Sequence, residues 1–365
     1  MSDIRITNVH IHTFTADHVP RCYPHPLLVP FKVIPGLIRL MASIVRIVSE
    51  RHADTLDRLY RFQQEAGATR QSQIFDQVRR HYPGNTRFVV LPMDMAPIGH
   101  GAVAKSLRAQ HEELARMAEA NPENVIPFAT LHPDGENRVE EVRHAIETLG
   151  FRGLKLYPRL GFPPDHPVLM NEVYPMLAER NLPVMTHCSR GGVRGRGVSV
   201  AAADRFTRPE AFDPVWETFP DLRVCFAHFG GQDDWREYVE EGYDPDDPEA
   251  LMRNWQRLIR HRIGIGTFPS MWTDISYTLF HFEDFVPFLR LFLTGETDEV
   301  KRLRARTLFG SDFYMTRQER LSERAVCFRL RNALGEDIFR RIAVDNPEIW
   351  LGERPDDNAA LFAAP

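Results

Sequence analysis

Short apolar runs alternate with helical patterns along most of this chain, and this alternation constrains the fold more than any other feature. The runs are continuously apolar, as expected of parallel strands that are buried on both faces. About eight such units in one domain-sized chain predict an α/β fold, specifically a distorted (β/α)₈ TIM barrel with a long first βα loop. The main alternative is an open doubly wound sheet, but no glycine-rich dinucleotide fingerprint opens the first helix. The runs lie in "ITNVHIHTF", "TRFVVLPMDM", "VIPFATLHP", "FRGLKLYP", "LPVMTHCSRGG", "LRVCFAHFGG", "MWTDISYTLF" and "TLFGSDFYM".

The chain of 365 residues suits a single barrel over residues 1–352 and a C-terminal tail over residues 353–365. The segment 19–51 is long and apolar for a first βα loop, which predicts an insertion that acts as a lid or as an oligomer contact. Its apolar part, Leu27 to Val48, would be a liability if exposed, so we expect a homo-oligomer, most simply a dimer. Charged residues and prolines interrupt this part too often for a membrane-spanning helix.

Composition restricts the partners and the compartment. The net charge is −5 and no basic stripe stands out, so a nucleic-acid partner is not expected and a small-molecule substrate is. The four cysteines are scattered without a CxxC pair, and the N-terminus has no secretory signal pattern. These features predict a cytoplasmic protein in a reducing compartment.

Polar residues that could carry chemistry follow the apolar runs, where a barrel brings strand ends together. They are His10, His12, His132, Lys155, His187, His228 and Asp312. Side chains alternate along a strand, so His10 and His12 point the same way, and such a pair is suited to hold one divalent cation, usually zinc. Each residue alone has an ordinary structural explanation, such as a hydrogen-bonded core histidine or an aspartate that caps a turn. Their joint placement favours a metal site.

The order of these motifs resembles that of the amidohydrolase superfamily: HxH, then "THCSRGG", "AHFGG", "GSDF" and "DNPEIWLG". The chain is most similar to the amidohydrolase-related group that includes aminocarboxymuconate semialdehyde decarboxylase, over roughly residues 4 to 352. The resemblance implies that His10, His12, His187 and Asp312 bind one divalent ion, with zinc first and manganese second. It also implies that His228 is a catalytic acid or base, or a second ligand, and that Asp312 can carry a proton.

Such a site supports a metal-dependent hydrolase that cleaves an amide, lactone or ester bond through a metal-activated water. His228 or Asp312 would move the proton. The same site supports an alternative, non-oxidative decarboxylation of an unsaturated or aromatic acid, and the sequence does not separate the two. A barrel that binds a ligand without catalysis is the least favoured hypothesis, because the full ligand set is present.

Arg190 is predicted to bind a substrate carboxylate. It lies in the arginine- and glycine-rich loop after the fifth predicted strand, and its planar fork matches a carboxylate. The alternative is a solvated loop, or salt bridges to acidic neighbours such as Asp233 and Asp234.

Lys155 ends the fourth predicted strand and is also assigned to substrate binding. Pairing with a nearby acid is the structural alternative. A further alternative comes from the resemblance, because some superfamily members carboxylate a lysine at this strand and use it to bridge two metals. His132 is predicted to lie behind the ligands or to be structural.

Overall fold

The computed structural model describes residues 4–23, 26, 68–241, 247–276, 282–313 and 323–363, and parallel strands form its centre. The strands within these ranges are β1 (Thr7–Ile11), β2 (Arg87–Val90), β3 (Val125–Pro127), β4 (Ala129–Thr130), β5 (Leu154–Leu156), β6 (Val184–Thr186), β7 (Val224–Phe226), β8 (Met271–Asp274) and β9 (Thr307–Leu308). All of the strand pairs are parallel.

The strands form two sheets, β1-β2-β3 and β4-β5-β6-β7-β8-β9, in chain order. Phe128 alone separates β3 from β4, so these two are halves of the third predicted strand and β5 to β9 are the fourth to the eighth. At the other edge, the backbone N–H of Asp312 donates to His10 O at 2.8 Å, which brings the segment after β9 beside β1. The ladder is not continuous around the ring, but the strand order confirms the α/β barrel.

Helices lie between the strands in the chain. The described α-helices are α1 (Gln71–Arg79), α2 (Leu107–Ala120), α3 (Arg138–Glu147), α4 (Tyr174–Glu179), α5 (Val200–Thr207), α6 (Asp213–Thr218), α7 (Gln232–Glu241), α8 (Pro248–Arg253), α9 (Trp255–Ile265), α10 (Phe282–Leu293), α11 (Asp298–Ala305), α12 (Glu323–Leu334), α13 (Glu336–Arg340) and α14 (Asn346–Trp350). Shorter helical turns include Pro158–Leu160 after β5 and Ala227–Phe229 after β7. α2 shows why these segments are helical: Ser106 caps its first turn by accepting from the Ala109 N–H at 3.2 Å, and Leu107, Leu114 and Met117 are buried at helical spacing.

The apolar core has two parts. A small cluster draws mainly on the strands and on α14, and contains Val9, Val89, Leu91, Ile126, Phe128, Met185, Cys225, Ala227, Trp272, Leu308, Ile349, Trp350 and Leu351. A much larger cluster joins the helices to the strands and includes Ile11, Phe88, Leu154 and Leu289. A parallel barrel buries its strands on both sides in this way, which explains the continuous apolar runs of the sequence.

Four other predictions concern the segment 19–51, the tail, a membrane-spanning helix and the cysteines. Most of the segment 19–51, including all of Leu27 to Val48, lies outside the described residues. The described residues of the tail contact the end of α11: Arg302 donates to the Leu361 carbonyl at 2.5 Å, and Arg306, just after the helix, donates to Asp356 at 2.5 Å and stacks on Phe362 at 4.0 Å. No helix among the described residues is long and apolar enough to cross a membrane. Cys22, Cys188 and Cys225 are free thiols.

Candidate metal centre

The carboxyl ends of the strands carry a buried group of histidines and carboxylates. His10 lies in β1 and His12 just after it, His187 follows β6, His228 follows β7 and Asp312 follows β9. All of these side chains are buried. His10, His228 and Asp312 each offer one ligand atom within 4.8 Å of the others. The fold therefore gathers residues that are more than 300 positions apart in the chain.

His10 and His12 present the same ring nitrogen to each other. Their Nε2 atoms are 3.3 Å apart, and Asp312 Oδ1 lies 3.4 Å from His12 Nε2 and 3.8 Å from His10 Nε2. The other nitrogen of each ring faces an acceptor: His10 Nδ1 lies 2.7 Å from Asp274 Oδ2, and His12 Nδ1 lies 2.7 Å from the Leu91 carbonyl. Each Nδ1 must therefore carry the hydrogen, because a neutral imidazole has one donor and one acceptor. Both Nε2 atoms are left as lone pairs.

His187 and His228 form the second half of the group. His187 Nδ1 lies 3.1 Å from His228 Nε2, and His187 Nε2 lies 3.0 Å from the Gly191 carbonyl. Since a carbonyl only accepts, the His187 Nε2–H donates to Gly191 and its Nδ1 is a lone pair. The ring of His187 also stacks on Tyr157, with 4.1 Å between centroids and 11° between planes.

The turn that carries Asp312 is tied to β1. Asn8 Oδ1 accepts from the backbone N–H groups of Ser311 and His10, both at 3.1 Å, and Asn8 Nδ2 donates to Ser311 Oγ at 2.8 Å. A Cβ atom at Gly310 would lie 2.7 Å from His10 Cβ, so only glycine allows this approach. Asp312 itself has a left-handed backbone, with φ of 49°. The letters "GSD" thus fix where this carboxylate lies.

Burial keeps the histidines neutral. It lowers the pKa of His12 to about 3, and the positive charge of Lys155 is the second cause. Burial also lowers the pKa values of His10, His187 and His228 well below the usual value. Neutral imidazole is the form that binds a metal, so these shifts favour ligation at neutral pH.

The donor set fits a divalent cation. His10 Nε2, His12 Nε2 and Asp312 Oδ1 are three acceptors within 3.8 Å of one another, and none of them can donate to another. Facing lone pairs in a buried site repel, and a cation between them removes the repulsion. Imidazole and carboxylate together are ligands of zinc and of similar divalent ions.

Lys155 lies in β5 and is 1% exposed. Its Nζ has no hydrogen-bond partner among the described residues. Burial lowers its pKa to about 8, while the charges of Asp274 and Asp312 oppose the shift. A buried amine without a partner costs stability, so a ligand atom that accepts from it would be favoured.

His132 lies apart from the histidine group. Its backbone N–H donates to Asp94 at 3.0 Å, its Nδ1 accepts from the Asp134 N–H at 3.3 Å, and its ring packs edge-on against Phe162. These contacts agree with its predicted structural position.

The guanidinium of Arg190 contacts other residues of the protein. Nε donates to Asp234 Oδ2 at 3.1 Å, Nη2 donates to the Arg253 carbonyl at 2.5 Å, and the group stacks over Trp255 at 4.5 Å. Asp234 is almost fully buried, and burial raises its pKa to about 6. These contacts match the alternative of a salt bridge to an acidic neighbour.

The sequence analysis did not single out two residues of the site, Asp274 and Ser276, which lie within the seventh predicted run. Asp274 contacts His10, and Ser276 Oγ lies 2.9 Å from His228 Nδ1. The signal was present, because "TDIS" puts polar residues at the end of an apolar run, as at the other strands.

Fold and site together define the class of this protein. It is an α/β barrel with histidine and aspartate side chains collected at the carboxyl ends of its strands. The family comparison is more specific: residues 8–352 match the family model described as amidohydrolase, and the chain belongs to this family. Members of the superfamily bind a divalent metal and include hydrolases and decarboxylases. No curated protein matches the chain significantly.

Solved structures with the same fold are remote in sequence. An uncharacterised TIM-barrel protein from Bordetella bronchiseptica is 16% identical with a TM-score of 0.51, over 96% of this chain and 99% of that one. A probable 2-pyrone-4,6-dicarboxylic acid hydrolase from Acinetobacter baumannii is 11% identical with a TM-score of 0.53, over 95% and 99%. A 2,6-dihydroxybenzoate decarboxylase is 14% identical with a TM-score of 0.52, over 96% and 100%. At these identities the likeness concerns the fold.

Proposed function

We propose that this protein is a metal-dependent hydrolase that cleaves an amide, lactone or ester bond in a small substrate with a carboxylate group. One divalent ion, with zinc first and manganese second, would be held by His10, His12, His187 and Asp312. The observation that carries this proposal is the close approach of the two Nε2 lone pairs of His10 and His12 beside the Asp312 carboxylate. No donor of the described site resolves that contact, whereas a cation does.

When bound, a divalent ion supplies a Lewis acid that activates water and polarises a carbonyl. The protein's own residues supply proton transfer. His228 is neutral and buried, and its Nδ1 lies 3.8 Å from Asp312 Oδ2. We assign to His228 and Asp312 together the tasks of taking a proton from the attacking water and returning one to the leaving group.

Lys155 is our first candidate to bind the substrate carboxylate. Its Nζ is buried beside the histidines and lacks a hydrogen-bond partner in the described part of the chain. Arg190 is the second candidate, because its guanidinium is already engaged by Asp234 and Arg253. If Lys155 were instead carboxylated, it would carry a negative charge and bridge two ions, and metal analysis would then give about two ions per chain.

Non-oxidative decarboxylation of an unsaturated or aromatic acid is the alternative. A buried lysine next to a neutral histidine could hold such an acid while the histidine or Asp312 protonates the carbon. The fold is compatible with either chemistry, since a probable dicarboxylic acid hydrolase and a decarboxylase share it.

Two measurements test the proposal. Metal analysis of the purified protein should give about one divalent ion per chain, as expected of one four-ligand set. A panel of small carboxylate-bearing lactones, esters, amides and unsaturated or aromatic acids should then be assayed in parallel for bond cleavage and for CO₂ release. Cleavage without CO₂ supports the hydrolase, CO₂ release supports the alternative, and absence of any bound metal overturns both.

The cytoplasmic location and the dimer stay predictions. Size-exclusion chromatography with light scattering should show a dimer or a larger assembly. A monomer whose segment 19–51 is readily cut by protease would contradict both uses predicted for that segment.

A further inference from the structure

The carboxylate of Asp274, at the end of β8, connects two histidines of the candidate centre. Oδ2 lies 2.7 Å from His10 Nδ1, whereas Oδ1 accepts from the backbone N–H of His228 at 2.9 Å. Oδ1 also accepts from the backbone N–H of Ser276 at 3.0 Å and from its hydroxyl at 2.5 Å. Asp274 and Ser276 are both fully buried.

We propose that Asp274 and Ser276 are positioning residues that set the ring tautomers of His10 and His228 and hold the turn at His228. This inference rests on the proposed function, because the tautomers matter for metal binding and proton transfer.

The His10 side of the argument concerns one hydrogen. An aspartate carboxylate only accepts, so the His10 nitrogen facing Oδ2 must be Nδ1–H. The other nitrogen, Nε2, is then a lone pair directed at His12 Nε2 and Asp312. Carboxylate partners of this kind orient ligating histidines and raise their basicity. Asp274 therefore decides which His10 nitrogen is available to an ion.

The His228 side depends on the single hydroxyl hydrogen of Ser276. The shortest contact of Ser276 Oγ is with Asp274 Oδ1, so the hydroxyl donates there. Ser276 Oγ can then only accept from His228 Nδ1, which lies 2.9 Å away. His228 is thereby held with Nδ1–H and with a lone pair on Nε2, the form that a general base requires. This Nε2 lone pair faces the Nδ1 lone pair of His187 at 3.1 Å.

Asp274 also holds an unfavourable backbone turn. His228 and Phe229 have left-handed φ values of 70° and 45°, which non-glycine residues seldom adopt. Gly230 follows so close to α9 that a Cβ there would lie 2.5 Å from the Gln256 backbone nitrogen. The bond from the His228 N–H to Asp274 fastens this turn at the residue that carries the ring.

Asp274→Asn is the main test. Three donors face Oδ1, so they hold the amide oxygen on their side and turn the new NH₂ group toward His10 Nδ1. His10 must then move its hydrogen to Nε2, which removes the lone pair from the ligand side. We expect zinc affinity, measured by competition with a chromophoric chelator, to fall roughly 10- to 100-fold, the range found for partners behind metal ligands. The ¹⁵N shifts of labelled histidines should show His10 changing from the Nδ1–H to the Nε2–H form.

Ser276→Ala should separate the effect on His228 from the effect on His10. It removes the acceptor for His228 Nδ1–H and a longer contact of 3.3 Å with His10 Nδ1. The shorter contact between Asp274 and His10, at 2.7 Å, stays in place, so zinc affinity should stay within about threefold, well below the range above. The ¹⁵N pattern of His228, in contrast, should lose its fixed Nδ1–H form. Thr273→Val is the matched control on β8, because the Thr273 hydroxyl donates to the Phe226 carbonyl at 2.9 Å and has no bond to the histidines. It should change neither readout.

The results distinguish failure of this inference from failure of the proposed function. Unchanged His10 shifts in Asp274→Asn, in protein with wild-type circular dichroism, overturn the inference. Unchanged zinc affinity in that variant, when the wild type binds zinc, overturns it as well. A wild type that binds no divalent ion overturns the proposed function, while the ¹⁵N shifts still test the positioning role.

Discussion

Two polar regions at the same end of the barrel, the buried histidine group and the partly exposed loop of Arg190, satisfy their hydrogen bonds in opposite ways. In the loop, every described contact of Arg190 joins a donor to an acceptor or places the guanidinium on an aromatic ring. In the histidine group, lone pairs face lone pairs at 3.3 Å, and Lys155 Nζ has no partner in the described part of the chain. The first region is complete with the chain's own atoms. The second needs a cation and an acceptor from outside, which is why we place the chemistry there.

Removing a predicted metal ligand from the histidine group should have the largest effect on metal content and activity. His12→Ala deletes the Nε2 atom that lies 3.4 Å from Asp312, so we expect most of the bound metal and nearly all activity to be lost. Metal analysis and a turnover assay measure this. His132→Ala is the matched control, since His132 is equally buried but contacts Asp94 and Asp134 instead, and it should retain the metal. Full metal content in His12→Ala would contradict the assignment.

His228→Asn tests whether that residue acts in catalysis or as a ligand. We expect the metal to stay and kcat to fall roughly 10²-fold or more, the usual effect of losing a general acid or base. Because His228, His10 and Asp312 offer atoms within 4.8 Å of one another, the opposite result is informative too. Loss of the metal would make His228 a ligand or the site binuclear.

Arg190→Lys tests the loop of Arg190, and its effect on activity should be smaller than that of His12→Ala or His228→Asn. Lysine keeps the charge but loses the fork that holds Asp234 and Arg253, so we expect kcat/KM on an acid substrate to fall about tenfold, equivalent to roughly 1.4 kcal/mol. Asp234→Asn is the companion variant, because it weakens the same salt bridge and leaves the guanidinium intact. Equal losses in both variants would show that Arg190 acts by holding the loop over His187. A loss confined to Arg190→Lys would show direct substrate binding, and normal kinetics would remove Arg190 from the site.

The pH dependence of stability should report the neutral histidines. The pKa of His12 is lowered to about 3 in the folded protein, whereas an unfolded histidine titrates near 6.5. The unfolded chain therefore binds more protons between these values, and stability present above about pH 6.5 is lost as the pH falls toward 3. The slope is at most about 1.4 kcal/mol per pH unit for each such histidine. Urea unfolding of the metal-free chain at pH 7.5, 6 and 5 should show this loss, and His12→Gln should have a shallower slope. Parallel profiles for both proteins would contradict the shift.

The sequence by itself determined the barrel and the position of most chemical groups. Apolar runs and helical periodicity are local properties, and a polar residue at the end of a run lies at the carboxyl end of a strand wherever that strand pairs. This is why His10, His12, His187, His228 and Asp312 could be selected before any contact was known. The seventh strand followed the same rule, and Asp274 was missed because its motif was read as part of the strand alone.

Only the tertiary structure decided which polar atoms face each other. The contact between His10 and Asp274 joins residues 264 positions apart, and it fixes the proton on one ring nitrogen rather than the other. The same holds for Arg190, whose partner among several nearby acids proved to be Asp234. It also holds for Lys155, whose amine has no hydrogen-bond partner among the described residues. Periodicity states which face of an element a residue occupies, but a hydrogen bond depends on distances of about 3 Å between side chains of different strands. Those distances exist only once the strands have packed around a common interior.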